Sequence, residues 1–355
     1  MLVSILDRLA MIETGVYSLR KGEMKQPIVI YHADCWDGFC AAWLFHQAFP
    51  DAEFHAAAYG TDPPDVAGRE VFIVDFSYKL GPLLQILRDS GKVTVLDHHK
   101  TAEEDLATFR WNTVGSTEAR ISGLTVVFDK EKSGGRLAWE YLKQSFFGVM
   151  NPFNEFVNVS GLSPWLVNYT EDRDLWRWEL LYSKEINAYI RSWPLDFETW
   201  DNWGKVNPGC DGWDDLITGG DSILRRERQI IDDHVKHAHE LEMNGYKVLC
   251  VNATVLFSEI AGELAKGRSF GVCYFDLPNG KRQYSLRSDP DGVDVSEIAK
   301  LYGGGGHKHA AGFESPDVCS LLMVDEGQLA SVVEHYEGST RHEALKTSTQ
   351  VDSKS

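Results

Sequence analysis

VFIVDFSYKLGPLLQILRDSGKVTVLDHH, residues 71–99, carries two short and continuously apolar runs, VFIV (71–74) and VTVL (93–96), on either side of a helical stretch around LLQIL (83–87). Runs this short, rich in branched residues and without polar alternation, suit strands buried on both faces, and a helix-length crossover between them makes them parallel. Upstream the same grammar repeats: IVIY (28–31), an apolar helix over about Cys40–Ala48, then FHAAAY (54–59). The class is α/β, with a parallel sheet covered on both sides.

Further along, residues 134–200 read as mostly helical, opening with GGRLAWEYLKQSF (134–146). Residues 165–213 hold Trp165, Trp176, Trp178, Trp193, Trp200, Trp203 and Trp213, a density that suits packing more often than ligand stacking. NPGCDGWDD (207–215) marks a boundary by its Gly, Pro and Asp content. A connecting helix is expected from Asp221 to about Met243, because Leu224, Ile231, Val235, Ala238 and Leu241 recur at helical spacings. After it, YKVLCVNA, FGVCYFDL and KRQYSLRS read as strands and SEIAGELAK as a helix. The expected organisation is an appendage at 1–24, with Met24 just ahead of the first strand, a first domain at 25–205 and a linker with its helix at 206–243. A smaller α/β domain at 244–338 and a disordered polar tail at 339–355 complete it.

Lys+Arg 35 against Asp+Glu 53 leaves a net charge of −18 over 355 residues, which argues against a broad basic footprint for duplex nucleic acid. Cys35, Cys40, Cys210, Cys250, Cys273 and Cys319 form no C-x-x-C pair, and the chain opens without a secretory pattern, so neither a disulfide framework nor a four-thiolate zinc site is expected. Without an apolar run near the roughly 20 residues of a membrane span, the expectation is a cytoplasmic protein.

The chemistry gathers where strands end. IVIY runs into His32-Ala-Asp34-Cys35-Trp-Asp37-Gly38, VFIV into Asp75, and VTVL into Asp97-His98-His99. Ligands of open parallel sheets collect outside the carboxyl ends of the strands, so these groups converge at one edge. A lone strand-end Asp is ordinarily a turn or helix cap, and tandem histidines are weak evidence by themselves. Three such ends in succession reverse the odds. Four carboxylates and three imidazoles would strand buried charge unless cations neutralised them, and this donor set suits two divalent manganese, iron or zinc ions, with Asp75 as the bridge.

In their order, His32-x-Asp34-x-x-Asp37-Gly38, Asp75-Phe-Ser77, Asp97-His98-His99, Asp172 within YTEDRDLW (169–176) and GGGGHKHAAGF (303–313) resemble the motifs of the DHH phosphoesterase family with its C-terminal substrate domain. The resemblance covers about residues 27–335. It implies a two-manganese phosphohydrolase with its active site in the cleft between the domains. His32, Asp34 and Asp75 would hold one metal, and Asp37, Asp75, His98 and Asp172 the other. Asp97 would orient the neighbouring imidazoles, while His99 faces the phosphoryl group. The family spaces its first two aspartates as Asp-x-Asp, whereas Asp34 and Asp37 are separated by two residues, which leaves Cys35 as an alternative ligand. Glu171 and Asp174 stay open beside Asp172.

Four glycines in a row let backbone N–H groups approach an anion. Gly304, Gly305, Gly306 and His307 are therefore expected to hold a substrate phosphate, Arg287 a second one, and Ser133–Arg136 to open a helix that favours an anion. The expected reaction is in-line attack by a metal-bridging water on short single-stranded oligonucleotides, releasing mononucleotides. The same ligands would serve a nucleotide 3′,5′-bisphosphate phosphatase, a cyclic-dinucleotide phosphodiesterase or a polyphosphatase, and a silent nucleotide-binding protein is the non-enzymatic alternative.

Overall fold

The computed structural model describes residues 25–107, 118–121, 123–146 and 163–315. The expected appendage at 1–24 and tail at 339–355 lie outside them. The chain divides into two compact units, Met1–Ile230 and Ile231–Ser355.

The first unit is built on a six-stranded sheet. Its elements run β1 (Ile28–His32), α1 (Trp36–Ala48), β2 (Glu53–Ala57), β3 (Glu70–Val74), α2 (Leu80–Ser90), β4 (Lys92–Asp97), α3 (Lys100–Asp105), β5 (Glu118–Ile121) and β6 (Leu124–Phe128). The helices α4 (Gly134–Phe146), α5 (Trp165–Asp174), α6 (Ser183–Arg191) and α7 (Phe197–Gly204) follow. Strand order is β2-β1-β3-β4-β6-β5, with the first five parallel and β5 antiparallel at the edge. Successive residues of each strand enter opposite cores. Val29, Phe72, Val74 and Leu96 pack with α1, α4 and α5, while Ile30, Val71, Ile73 and Val95 pack with Leu83, Ile86 and Leu87 of α2. Burial on both faces is the reason these strands read as unbroken apolar runs. Trp43, Trp165, Trp200, Trp203 and Trp213 lie in the first of these cores, whereas Trp176 and Trp193 are exposed.

The expected connecting helix is displaced. It spans α8 (Trp213–Val235), and residues 239–243 instead form a strand, β7 (His239–Met243), paired antiparallel with β8 (Tyr246–Asn252). Asn244 and Gly245 join them with φ of 49° and 77°, the two positive values that a tight hairpin of the primed type demands and that an Asn-Gly pair supplies. The second unit continues with α9 (Phe257–Ala265), β9 (Gly271–Asp276), β10 (Arg282–Arg287), α10 (Val295–Leu301), β11 (Gly305–His307) and β12 (Ala310–Ser315). Its sheet has the order β11-β12-β10-β9-β8-β7, and only β8 and β9 run parallel.

Among the described residues no helix is long and apolar enough to cross a membrane.

Candidate metal centre

The first sheet brings the centre together through register. Tyr31, Val74 and Leu96 are paired across β1, β3 and β4, so the next residue on each strand places His32, Asp75 and Asp97 side by side at the carboxyl edge. The Asp75 N–H donates to Leu96 O at 2.8 Å and prolongs the ladder to that point. From β1 the chain crosses to β2 on one side, while β3 lies on the other, so this is also where the strand order reverses. Such a switch point opens a crevice for ligands.

Asp37, Asp75, Asp97 and His98 are all buried. His98 Nε2 lies 3.0 Å from Asp75 Oδ1, 3.6 Å from Asp174 Oδ2 and 3.8 Å from Asp37 Oδ2, so three carboxylates crowd one imidazole nitrogen. Burial, then the charges of Asp75 and Asp174, pushes the Asp37 carboxyl well above its usual range. Burial raises Asp174 as well. For His98, burial acts downward, but the Asp75 hydrogen bond and the charges of Asp174, Asp75 and Asp37 prevail and push it up to about 10. Asp75 also resists its burial: the nearby His32 imidazole and the hydrogen-bonded His98 hold it well below the usual carboxylate range. Asp75 Oδ2, Asp97 Oδ2 and Asp174 Oδ2 are nevertheless buried without a hydrogen-bond partner. An excess of buried carboxylate over imidazole, with three oxygens unsatisfied, is what a divalent cation would correct. The residues present therefore fit such an ion.

Two overlapping sets of donors have ligand atoms within 4.8 Å of one another: His32, Cys35 and Asp75, and Asp37, Asp75 and His98. Asp75 is common to both. Asp97 and His99 form a third set with it, but Asp97 Oδ1 is already occupied, accepting from His98 N (2.7 Å), His99 N (3.1 Å) and His99 Nδ1 (2.8 Å). Asp97 thus holds the His99 ring in place, and the His99 charge draws its carboxyl down against the effect of burial.

Two expected ligands are not brought to the cluster. Asp34 occupies the turn after β1 with φ of 53° and is exposed, while Cys35, one residue later, joins His32 and Asp75. Aspartate tolerates the left-handed backbone that this turn imposes. The other is Asp172. Its carboxylate accepts from Glu179 N (2.9 Å) and Leu180 N (3.4 Å), which ties the loop following α5 back onto that helix. Glu171 is also engaged, by Arg136 Nε and Nη2 at 2.9 and 2.8 Å. Asp174 is the acid of this helix that reaches His98.

The glycine pair at the start of α4 faces an anion, but one belonging to the chain. Gly134 N and Gly135 N donate to the two oxygens of Asp37 and hold this carboxylate at the helix N-terminus. In the second unit, Gly303 N and Gly304 N donate to Lys300 O and Ala299 O and close the end of α10. The Gly304 amide is therefore already used, and the residue is glycine for a packing reason: a Cβ there would meet Gly312 O at 2.1 Å. Gly305, Gly306 and His307 form the edge strand β11. Arg287 donates to Ser258 Oγ (2.6 Å) and Leu286 O (2.8 Å). Ser288 Oγ lies 2.9 Å from Nδ1 of His309, in the turn between β11 and β12.

One further group at the centre escaped the sequence reading. Tyr59, in the turn after β2, packs its ring against His32, Phe76 and His99, with centroids 5.3, 5.0 and 6.1 Å away. A single exposed aromatic residue outside any motif carries no signal in one sequence.

No family model matches the chain. It is 27% identical over 337 residues to the uncharacterized protein R106 of Acanthamoeba polyphaga mimivirus, a match covering 83% of this chain and 71% of that one. It is 28% identical over 254 residues to the oligoribonuclease NrnB of Bacillus subtilis (strain 168), covering 69% of this chain and 58% of NrnB. Among solved structures, the DHH domain of a member of a ribosomal-protein family aligns at a TM-score of 0.48 with 13% identity, over 81% of this chain and 82% of that one.

Proposed function

We propose, for a chain that belongs to the DHH phosphoesterase family, that it hydrolyses short oligonucleotides to mononucleotides with the help of two divalent cations. The observation that carries this reading is Asp75, which stands in both donor sets and so is positioned to bridge two ions. One ion would take His32, Cys35 and Asp75, and the other Asp37, Asp75, His98 and Asp174. Oxygen and imidazole donors suit manganese in the second place, while the thiol of Cys35 opens the first to iron or zinc as well. When bound, the pair supplies a water that ionises near neutral pH and offsets the charge on the phosphoryl oxygens.

The chain's own groups do the positioning. Asp97 fixes His99 through Nδ1, which turns Nε2, on the far side of the ring, away from that carboxylate, and this nitrogen is proposed to donate to a phosphoryl oxygen. Gly134 and Gly135 hold Asp37 in place. His307 and Arg287 are proposed to hold a further phosphate, together with the β11 backbone at Gly305 and Gly306. The net charge of −18 favours short substrates over a long strand, which would require a basic groove. The similarity to an enzyme named an oligoribonuclease supports the same choice.

The test is a substrate panel with the purified, manganese-loaded chain: pApA, a cyclic dinucleotide, pAp, tripolyphosphate and a long single strand. Fastest turnover of pApA to mononucleotide is expected. A preference for pAp, the cyclic dinucleotide or tripolyphosphate would replace the substrate and keep the centre. If the Asp75→Ala, His98→Ala double variant matches wild type on every substrate, the two-cation reading is wrong.

A further inference from the structure

We propose that Tyr59 is the platform on which a nucleobase of the substrate stacks, a role that deepens the function proposed above and rests on it. The placement follows from the sheet. β2 ends at Ala57, paired with His32, and Ala33 N donates to Ala57 O at 2.8 Å, so the chain leaves β2 at the edge where the centre lies. A turn follows at once, closed by Thr61 N and Thr61 Oγ1 on Ala58 O at 3.2 and 2.7 Å, with Tyr59 at its first corner.

The side chain is half in water, at 52% exposed, while buried Phe76 and the imidazoles of His32 and His99 pack against it. It is thus a supported ring with open surface. His32 belongs to a donor set and His99 is the group held toward a phosphoryl oxygen, so a phosphate at the centre brings its nucleoside within reach of that surface. A base offers the flat π-face that such a ring accepts, whatever its hydrogen-bonding edge. Inorganic polyphosphate offers nothing that would use it. Tyr59 therefore favours nucleotides over base-free phosphate chains at this centre, without selecting among the bases.

The proposal is tested on the full-length, manganese-loaded protein with Tyr59→Ala and Tyr59→Phe. For pApA, Tyr59→Ala should raise KM by about tenfold, within the range that base–aromatic stacking supports, with kcat within about twofold, and Tyr59→Phe should behave as wild type. Calorimetric titration removes turnover from the question. Binding of 5′-AMP, the expected product, should weaken about tenfold in Tyr59→Ala, whereas ribose 5-phosphate, the same phosphate without a base, should bind both proteins alike. Equal weakening of both ligands, or an equal loss of turnover on pApA and tripolyphosphate, would mean that the ring merely supports the imidazoles and would overturn the platform. Unchanged pApA kinetics in Tyr59→Ala would do the same while leaving the proposed function intact. A wild type that cleaves tripolyphosphate but not pApA would sink both.

Discussion

A Cβ added to Gly134 would stand 2.4 Å from the Cβ of Asp75. The first turn of α4 therefore presses on the end of β3 at the residue both cations would share. Gly134→Ala must push Asp75 or the helix aside, and displacements near 1 Å at a reacting centre lower turnover by about a hundredfold. Turnover of pApA by this variant, alongside its thermal midpoint, is the measurement. Full activity with an unchanged midpoint would show that the contact can relax.

Asp174 and Asp172 should separate by phenotype. Asp174→Asn removes a proposed ligand and should reduce activity beyond the roughly 10- to 100-fold expected of an outer-shell group. It also relieves crowding around His98, so the metal-free protein should melt no lower than wild type. Asp172→Ala should do the opposite, lowering stability by about 1–3 kcal/mol as two amides lose their acceptor, with metal content retained. Melting curves and metal analysis of the two variants decide it, and loss of bound metal in Asp172→Ala alone would reverse the assignment.

Cys35 can be read spectroscopically. With cobalt(II) in the centre, a thiolate ligand produces a sulfur-to-cobalt absorption in the near ultraviolet that oxygen and nitrogen ligands do not. The band is expected in wild type and in Asp34→Asn, and its absence from Cys35→Ser would identify the sulfur. A band that survives Cys35→Ser excludes this thiol.

Cation binding should release protons. In the metal-free protein His98 holds its proton up to about pH 10, and an imidazolium cannot ligate a metal. Affinity should therefore rise with pH across the neutral range, with about one proton or more released at pH 7.5. Calorimetry of manganese binding in buffers of different ionisation enthalpy reads this directly, and identical heats after buffer correction would contradict it. The same group sets the stability of the metal-free form. Because its pKa is raised on folding, its contribution is complete below about pH 6.5 and is lost as the pH climbs through about 10.

Much of this was legible in the sequence because buried parallel strands leave a distinctive trace, and VFIV, VTVL and IVIY became β3, β4 and β1. The helix GGRLAWEYLKQSF also begins and ends where its pattern does. The rest turned on local detail. Asp172 and Asp174 lie two residues apart on a helix and so project about 200° from each other; which one faces the sheet depends on a loop whose amides need an acceptor. The left-handed turn at Asp34 leaves that carboxylate exposed and sets Cys35, the alternative kept open, beside His32 and Asp75. Residues 239–243 followed the helical spacing of their apolar positions, while the Asn-Gly pair after them carried the stronger, turn-forming signal.

The parallel ladder has a mechanical consequence. Strands in a sheet lie about 4.8 Å apart, whereas paired catalytic ions lie about 3.5–4 Å apart. β1, β3 and β4 are neighbours, and the residue that must lean both ways stands on the middle one. For the cations proposed above the sheet would act as a ruler, because the backbone ladder fixes where His32, Asp75 and Asp97 leave their strands.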